Sequence, residues 1–439
     1  MKFNVNARAL GPVAAAVMLV CAVSSVQAAG DDDSPFSLKL SETVSYDTNY
    51  SRTTNNKQKE VISSTAVEVG MNKPYGRQTY TGSGRFAIDR HKNFENQDNQ
   101  NYDVDLGFST GIASNWSLSA SGAASENLNP NQNNAFGDRL AKNIRSHSDV
   151  GLNIQYGLSG RWAVVGSAAT ARTSYSLASS RYQNQQQASG GLRLVYNTSD
   201  LLNFAVGGTY VNSEYPERLV NGVPEEIRQR NINFSTNWQV TGFSSLYALL
   251  SFSHNQYKSD PEAKYNGVTG QLSWNFTPSG LTSYALTISR STDSDDTSTS
   301  KITGAIIETG IVDGKKVGPP VDLFYKNLTT SIGGSMRWTP TAKIGVNAGV
   351  NYSSYRVSRT NNVNDPEFRR VGTIAGTTTS NYTVLSLSSD YQYSRAIGLG
   401  CSYQHYDQSA ESNKNVSYGN PRIAHVGNQY SCNASFKID

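Results

Sequence analysis

The sequence predicts an all-β protein, a transmembrane antiparallel up-and-down β-barrel of about 18 strands (roughly 16 to 18) of the bacterial outer-membrane type. Three observations predict it. Short segments alternate apolar and polar residues with the period of two that a strand imposes. Past residue 30 no apolar run approaches the ~20 residues that a spanning helix needs. All five tryptophans fall beside short turns.

The clearest unit is the stretch 267–291. Val268, Gly270, Leu272, Trp274 and Phe276 are apolar or small, and Thr269, Gln271, Ser273 and Asn275 between them are polar. Thr277-Pro278-Ser279-Gly280 reverses the chain, because proline presets φ and glycine accepts positive φ. Tyr284, Leu286 and Ile288 then resume the alternation, so the unit is a hairpin.

Of 439 residues, 37% are hydrophobic, and mean hydropathy is -0.49. That is too polar for helical membrane spans, yet it suits strands that show only alternate residues to lipid. No Pro-rich or Gly/Ser-rich linker and no charge run divides the chain, so one barrel domain is expected over 29–439. Residues 1–28 read as a secretory leader. Lys2 and Arg8 form its basic start, Val13 to Val23 its apolar stretch, and Val26-Gln27-Ala28 a small-residue cleavage site. Val20 stands where lipidation of Cys21 would require a small residue. Of 38 Lys and Arg against 34 Asp and Glu, Lys2 and Arg8 leave with the leader, so the mature net charge is +2. That balance makes no case for nucleic acid.

The same rhythm runs through the chain. Phe36 to Tyr46 is answered by Val61 to Met71, and after a turn at Lys73-Pro74-Tyr75-Gly76 by Tyr80 to Ile88. Tyr102 to Phe108 leads through Ala113-Ser114-Asn115 into Trp116 to Ala120. Val150 to Tyr156 and Trp162 to Thr170 form the next pair, and Ala188 to Tyr196 and Leu202 to Tyr210 flank Asn197-Thr198-Ser199-Asp200. Ile232 to Trp238 and Leu246 to Phe252 precede the hairpin already described. Leu328 to Trp338 and Ile344 to Tyr352 follow it, and Leu385 to Tyr391, Ile397 to Tyr403 and Tyr430 to Ile438 finish the series.

Trp116 and Trp162 begin strands just after short turns, whereas Trp238, Trp274 and Trp338 end strands just before them. All five therefore belong to one rim, as expected of an aromatic girdle at the periplasmic headgroup level. The long connections 125–143, 211–226, 293–322, 358–380 and 407–425 then face outside. The third is a candidate lid or plug, and its segment 302–316 can form a small hairpin of its own.

With the apolar phase toward lipid, Glu68, Arg85, Asp89, Asp103, Asp105, Asp149, Arg193, Arg337, Lys343 and Asp390 face the lumen, with Gln155, Gln271, Asn347, Asn351 and Gln404 among them. Two readings stay open: a solvated, mutually paired wall, or a channel lining suited to hydrated polymers and sugars. Tyr175, Tyr247 and Tyr265 share the inward phase but trace no single path. The five histidines, His91, His147, His254, His405 and His425, are scattered, and none lies in a Gly-x-Ser-x-Gly or His-Glu-x-x-His setting. No enzyme, cofactor or metal is expected. Cys401 and Cys432 fall on the apolar phase of the last two strands, either as a cross-strand disulfide or as two small lipid-facing residues.

Tyr46-Asp47-Thr48-Asn49-Tyr50-Ser51-Arg52 near the start resembles the Tyr-Asp-x-Asn-x-x-Arg opening of the EpsL-like β-barrel porins associated with exopolysaccharide gene clusters. Tyr430-Ser431-Cys432-Asn433-Ala434-Ser435-Phe436 is similar to their Cys-containing closing strand. The resemblance implies passage of a newly made polysaccharide across the outer membrane and brings no catalytic residues. The expected partners are outer-membrane lipid, the barrel assembly machinery at the C-terminal strand, a polysaccharide or small hydrophilic solutes, and periplasmic export components. A general or sugar-selective diffusion porin and a surface-loop adhesin or receptor are the alternatives.

Overall fold

The structure, a computed structural model, describes residues 34–129, 141–157, 160–220, 223–258, 264–292, 301–306, 310–312, 315–317, 320–365, 370–409 and 424–438. The expected leader and Cys21 lie outside these residues, as do parts of the segment 293–322. Almost everything described is strand. In chain order the strands are β1 (Phe36–Asp47), β2 (Glu60–Tyr75), β3 (Gln78–His91), β4 (Asn99–Ile112), β5 (Trp116–Leu128), β6 (Ile144–Tyr156) and β7 (Trp162–Tyr175). Next come β8 (Gln185–Ser199), β9 (Leu202–Val220), β10 (Val223–Thr241), β11 (Ser244–Tyr257), β12 (Lys264–Ser279) and β13 (Thr282–Ser291). Three short strands, β14 (Lys301–Ile306), β15 (Gly310–Val312) and β16 (Lys315–Val317), precede β17 (Pro320–Thr341), β18 (Ile344–Asp365), β19 (Arg370–Gln392), β20 (Ile397–Gln408) and β21 (His425–Ile438).

Strands β1–β13 and β17–β21 pair antiparallel with their sequence neighbours, and β1 also pairs with β21, with Leu38 opposite Ile438 and Asp47 opposite Gln429. That last ladder closes an 18-strand barrel. Closure leaves no open edge among the 18 wall strands described, so their backbone groups pair across the ladders, as a hydrocarbon solvent demands. β14 runs along the outer end of β17 beyond β13, with Lys301 opposite Phe324, and β15 and β16 form a separate two-stranded hairpin within the expected segment.

The side-chain period sorts the wall into two faces. Val67, Phe86, Leu106, Val150, Leu192, Phe234, Leu250, Leu272, Ile332, Val350, Leu387 and Leu399 are all exposed and share one phase through the ladders. The largest, Leu192, is 64% exposed. A continuous exposed apolar band of this kind fits lipid rather than water. Conventional core is correspondingly small, with one cluster of buried apolar residues, Tyr215, Ile227 and Tyr257, among the described residues.

The reversals at one rim are tight. Between β2 and β3 only Gly76 and Arg77 turn the chain, with Gly76 at φ 59°, so the strand runs on through the residues expected to form that turn. The same happens between β8 and β9, where the strand includes Asn197, Thr198 and Ser199. At the opposite rim the connections expected over 211–226 and 358–380 are largely strand, since β9, β10, β18 and β19 run on well past the apolar band. Beyond the membrane both faces of a strand meet water, so the two-residue pattern vanishes although the ladder continues.

Candidate functional site

Two regions carry the polar chemistry: the inner wall, and a buried polar cluster at its long-loop end. On the wall, Arg85 stands opposite Glu68 on β2 and Asp103 on β4. Its Nε lies 3.8 Å from Glu68, whose other oxygen accepts from Lys39 Nζ at 3.1 Å. Asp89 accepts from Asn101, Asp103 from Asn127 at 2.9 Å, and Asp105 from Ser83 at 3.3 Å. Asp149 lies 3.4 Å from His147 Nε2.

A second arc lies on β17–β19. There Arg337 and Asp390 approach to 3.9 Å across the intervening β18. Arg193 stands alone opposite Val165 and Gly207, with no ion pair among the described residues. Lys343 lies in the β17–β18 turn, not on the strand wall, and its ammonium reaches the Tyr393 carbonyl at 3.5 Å. Both signs of charge thus alternate with amides and hydroxyls. Solvent-exposed pairs of this kind each contribute about 0–1 kcal/mol, so the wall stays polar without being locked.

The five tryptophans, Trp116, Trp162, Trp238, Trp274 and Trp338, stand at the short-turn rim, each 37–57% exposed on the outward face. Trp116 packs on Tyr156 at 4.7 Å and Trp162 on Tyr196 at 4.6 Å, while Trp274 donates to Ser244 at 2.8 Å. Cys401 and Cys432 are opposite each other on β20 and β21, with Cα atoms 4.1 Å apart, and are disulfide-bonded.

A carboxylate within the apolar band departs from the inward rule. Glu42, midway along β1, shares the outward phase of Leu40 and Val44, and its carboxylate accepts from Ser63 and Thr65 on β2, each at 2.5 Å. A carboxylate facing hydrocarbon is unfavourable even with two hydroxyl partners. Glu42→Leu is therefore expected to stabilise the folded barrel by about 1–2 kcal/mol, read as a higher urea midpoint for reversible unfolding. A lower midpoint would mean that Glu42 meets something other than lipid.

The cluster at the mouth was not legible as a site. Asp47 ends β1 and is buried; Arg52 in the following loop binds it at 2.8 Å and lays its guanidinium 3.9 Å from the centre of the Tyr406 ring. Tyr406 donates to Asp47 at 2.7 Å and also accepts from Arg52. The Asn49 amide N–H reaches Asp47 at 2.8 Å, and its side chain donates to the Val426 carbonyl at 3.0 Å. Arg52 holds φ at 50°, a left-handed conformation that costs an L-residue about 1–2 kcal/mol and persists here because these bonds fix it. Gly427 lies opposite Tyr406, and any Cβ there would run into the phenol.

Beside it, Tyr50 stacks on Phe94 at 5.4 Å and meets His91 Nε2 at 3.3 Å. Burial, reinforced by the Glu60 carboxylate, pushes its phenol up to about 12. The cluster thus joins the first loop to the last two strands at the seam where the barrel closes. Its sequence signal was the Tyr46 to Arg52 stretch, legible as a family-like opening but not as a partner of Tyr406. Tyr175, Tyr247 and Tyr265 are not brought together: Tyr175 and Tyr247 lie on different hairpins, and the side chain of Tyr265 is outside those described. Among the described residues no group of His, Cys, Asp and Glu could hold a metal ion.

The chain thus has the fold of an outer-membrane β-barrel. No protein-family model matches it, and no curated protein matches it. Among solved structures, it is similar to the siderophore receptor PirA from Pseudomonas aeruginosa at 9% identity and a TM-score of 0.41, over 92% of this chain and 80% of that one. It is also similar to the FrpB iron transporter from Neisseria meningitidis, at 10% identity and a TM-score of 0.43 over 92% and 83%. A point mutant of the ferric enterobactin receptor from Pseudomonas aeruginosa gives 8% identity and a TM-score of 0.47 over 93% and 81%. Likeness at this level concerns architecture and assigns no ligand.

Proposed function

We propose that this protein is a non-enzymatic channel of the bacterial outer membrane, reached after removal of the leader, and that its cargo is an exopolysaccharide on its way out of the cell. The observation that carries the channel is the closed barrel whose inner face mixes carboxylates, guanidinium groups and amides while its outer face is apolar. Such a wall offers hydroxyl-rich polymers exchangeable hydrogen bonds without a single-sign charge barrier. The polymer is supported by the EpsL-like opening and closing stretches. The closing strand β21, with Tyr430, Cys432, Ala434, Phe436 and Ile438 outward, is the segment offered to the assembly machinery.

The same inner wall would serve a diffusion porin for small sugars, and one experiment separates the two. Deleting the gene is expected to abolish secreted polymer and leave it in the periplasm, while small-sugar uptake stays unchanged. Normal polymer output with reduced sugar uptake would replace the export reading with the porin. Purified barrel in planar bilayers is expected to conduct; a sealed barrel that stays sealed after removal of residues 293–322 overturns both.

A further inference from the structure

Outside the lumen, the outward face of β13, β17, β18 and β19 carries a groove of about 410 Å³ lined by Arg290, Leu328, Thr330, Ser354, Arg356 and Thr379. The ladders fix its layout. Arg290 is opposite Thr330, Thr330 is opposite Ser354, and one outward position further along β18 Arg356 lies between Leu328 and Thr379. These residues continue the phase of Ile288, Ile332 and Tyr352, which are exposed in the apolar band. On the other side Arg290 faces Gly270 of β12, so no side chain closes the groove there.

Its height is set by the strands. Arg290 follows Thr282, the partner of Trp338, by eight residues along β13. At ~3.4 Å per residue and a tilt near 40°, that places the guanidinium about 20 Å above the tryptophan rim, at the outer edge of an apolar band about 25 Å tall. Of the other outward arginines, Arg90 pairs with Asp98 at 2.8 Å and Arg228 with Glu226 at 2.8 Å, whereas Arg172 and Arg230 stand on separate strands without an ion pair among the described residues, and neither lines this groove. Arg290 and Arg356 make no ion pair among the described residues.

We infer that this groove binds the headgroup of a phosphorylated glycolipid of the outer leaflet. Two guanidinium groups supply charge-assisted bonds to phosphate. Their Cα atoms are about 12 Å apart by strand spacing and rise, and the hydroxyls of Thr330 and Ser354 between them, with that of Thr379 beyond Arg356, suit the sugar that carries the phosphates. The Ile288–Ile332–Tyr352 surface below accepts the acyl chains. The occupant is lipid because the face is the lipid-facing one, and it is a sugar lipid because the floor between the cations is made of hydroxyls.

The test uses the full mature chain, delipidated in mild detergent and titrated with lipopolysaccharide, its enzymatically dephosphorylated form, and phosphatidylglycerol, with bound lipid counted by native mass spectrometry. Tight binding of lipopolysaccharide is expected, with at least a tenfold loss for the dephosphorylated form and for phosphatidylglycerol. Equal binding of either comparison lipid to the wild-type barrel overturns the inference without any variant. The double substitution Arg290→Gln with Arg356→Gln is expected to weaken lipopolysaccharide binding at least tenfold, and Arg290→Lys with Arg356→Lys to retain most of it. Undiminished binding by the glutamine variant, verified as folded by its heat-modifiable gel mobility, also overturns it.

Discussion

Arg52→Ala is expected to lower the stability of the folded barrel by about 3 kcal/mol, because it leaves the buried Asp47 carboxylate without its cation. The two side chains are only 15% and 5% exposed, so water cannot replace the lost partner. The stacking of the guanidinium on Tyr406 is lost with it, which adds about 1 kcal/mol. The contrasting substitution is Lys39→Ala. Its pair with Glu68 likewise joins a cation to a carboxylate, at 3.1 Å, but the side chains are 38% and 35% exposed, and the expected cost stays below about 1 kcal/mol. Urea unfolding in detergent, followed by tryptophan emission, measures both. Equal midpoints for the two variants would show that the mouth cluster is not held by its charge pair.

Joint replacement of Cys401 and Cys432 by serine is expected to cost about 3–4 kcal/mol, the loop-closure value for a crosslink spanning 31 positions. The bond joins β20 to β21, whose backbone ladder already holds the two residues opposite each other in the folded state. Its effect therefore falls on the unfolded chain, which it keeps compact. Oxidised wild type should accordingly show a higher urea midpoint than wild type unfolded and refolded in reductant. Coincident midpoints would mean that the crosslink constrains nothing the hairpin does not already constrain.

The wall of this barrel was legible because lipid on one side and water on the other write a period of two into the chain. That signal identified segments such as Val150 to Tyr156 and Leu385 to Tyr391, and with the turn-side tryptophans it set the strand count and the rim. It ended where its cause ended. Beyond the apolar band β18 and β19 continue as a ladder, and the sequence around Thr360 and Gly376 carries no alternation to read. The mouth cluster was hidden for another reason: Asp47 and Tyr406 meet only because the last hairpin returns to the first strand. Glu42 escaped because its partners, Ser63 and Thr65, are ordinary strand residues until the register places them beside it.

The closing ladder puts Leu38 beside Ile438 at the short-turn rim, so the two ends of the barrel domain are neighbours in space. A circularly permuted chain, spliced across that junction and opened between β9 and β10, would retain every rung of the wall. Opened between Asp47 and Glu60 instead, it would sever the loop that fastens Arg52 to Tyr406. The place where synthesis begins is thus interchangeable around most of the circumference and fixed at the one connection that carries the mouth cluster.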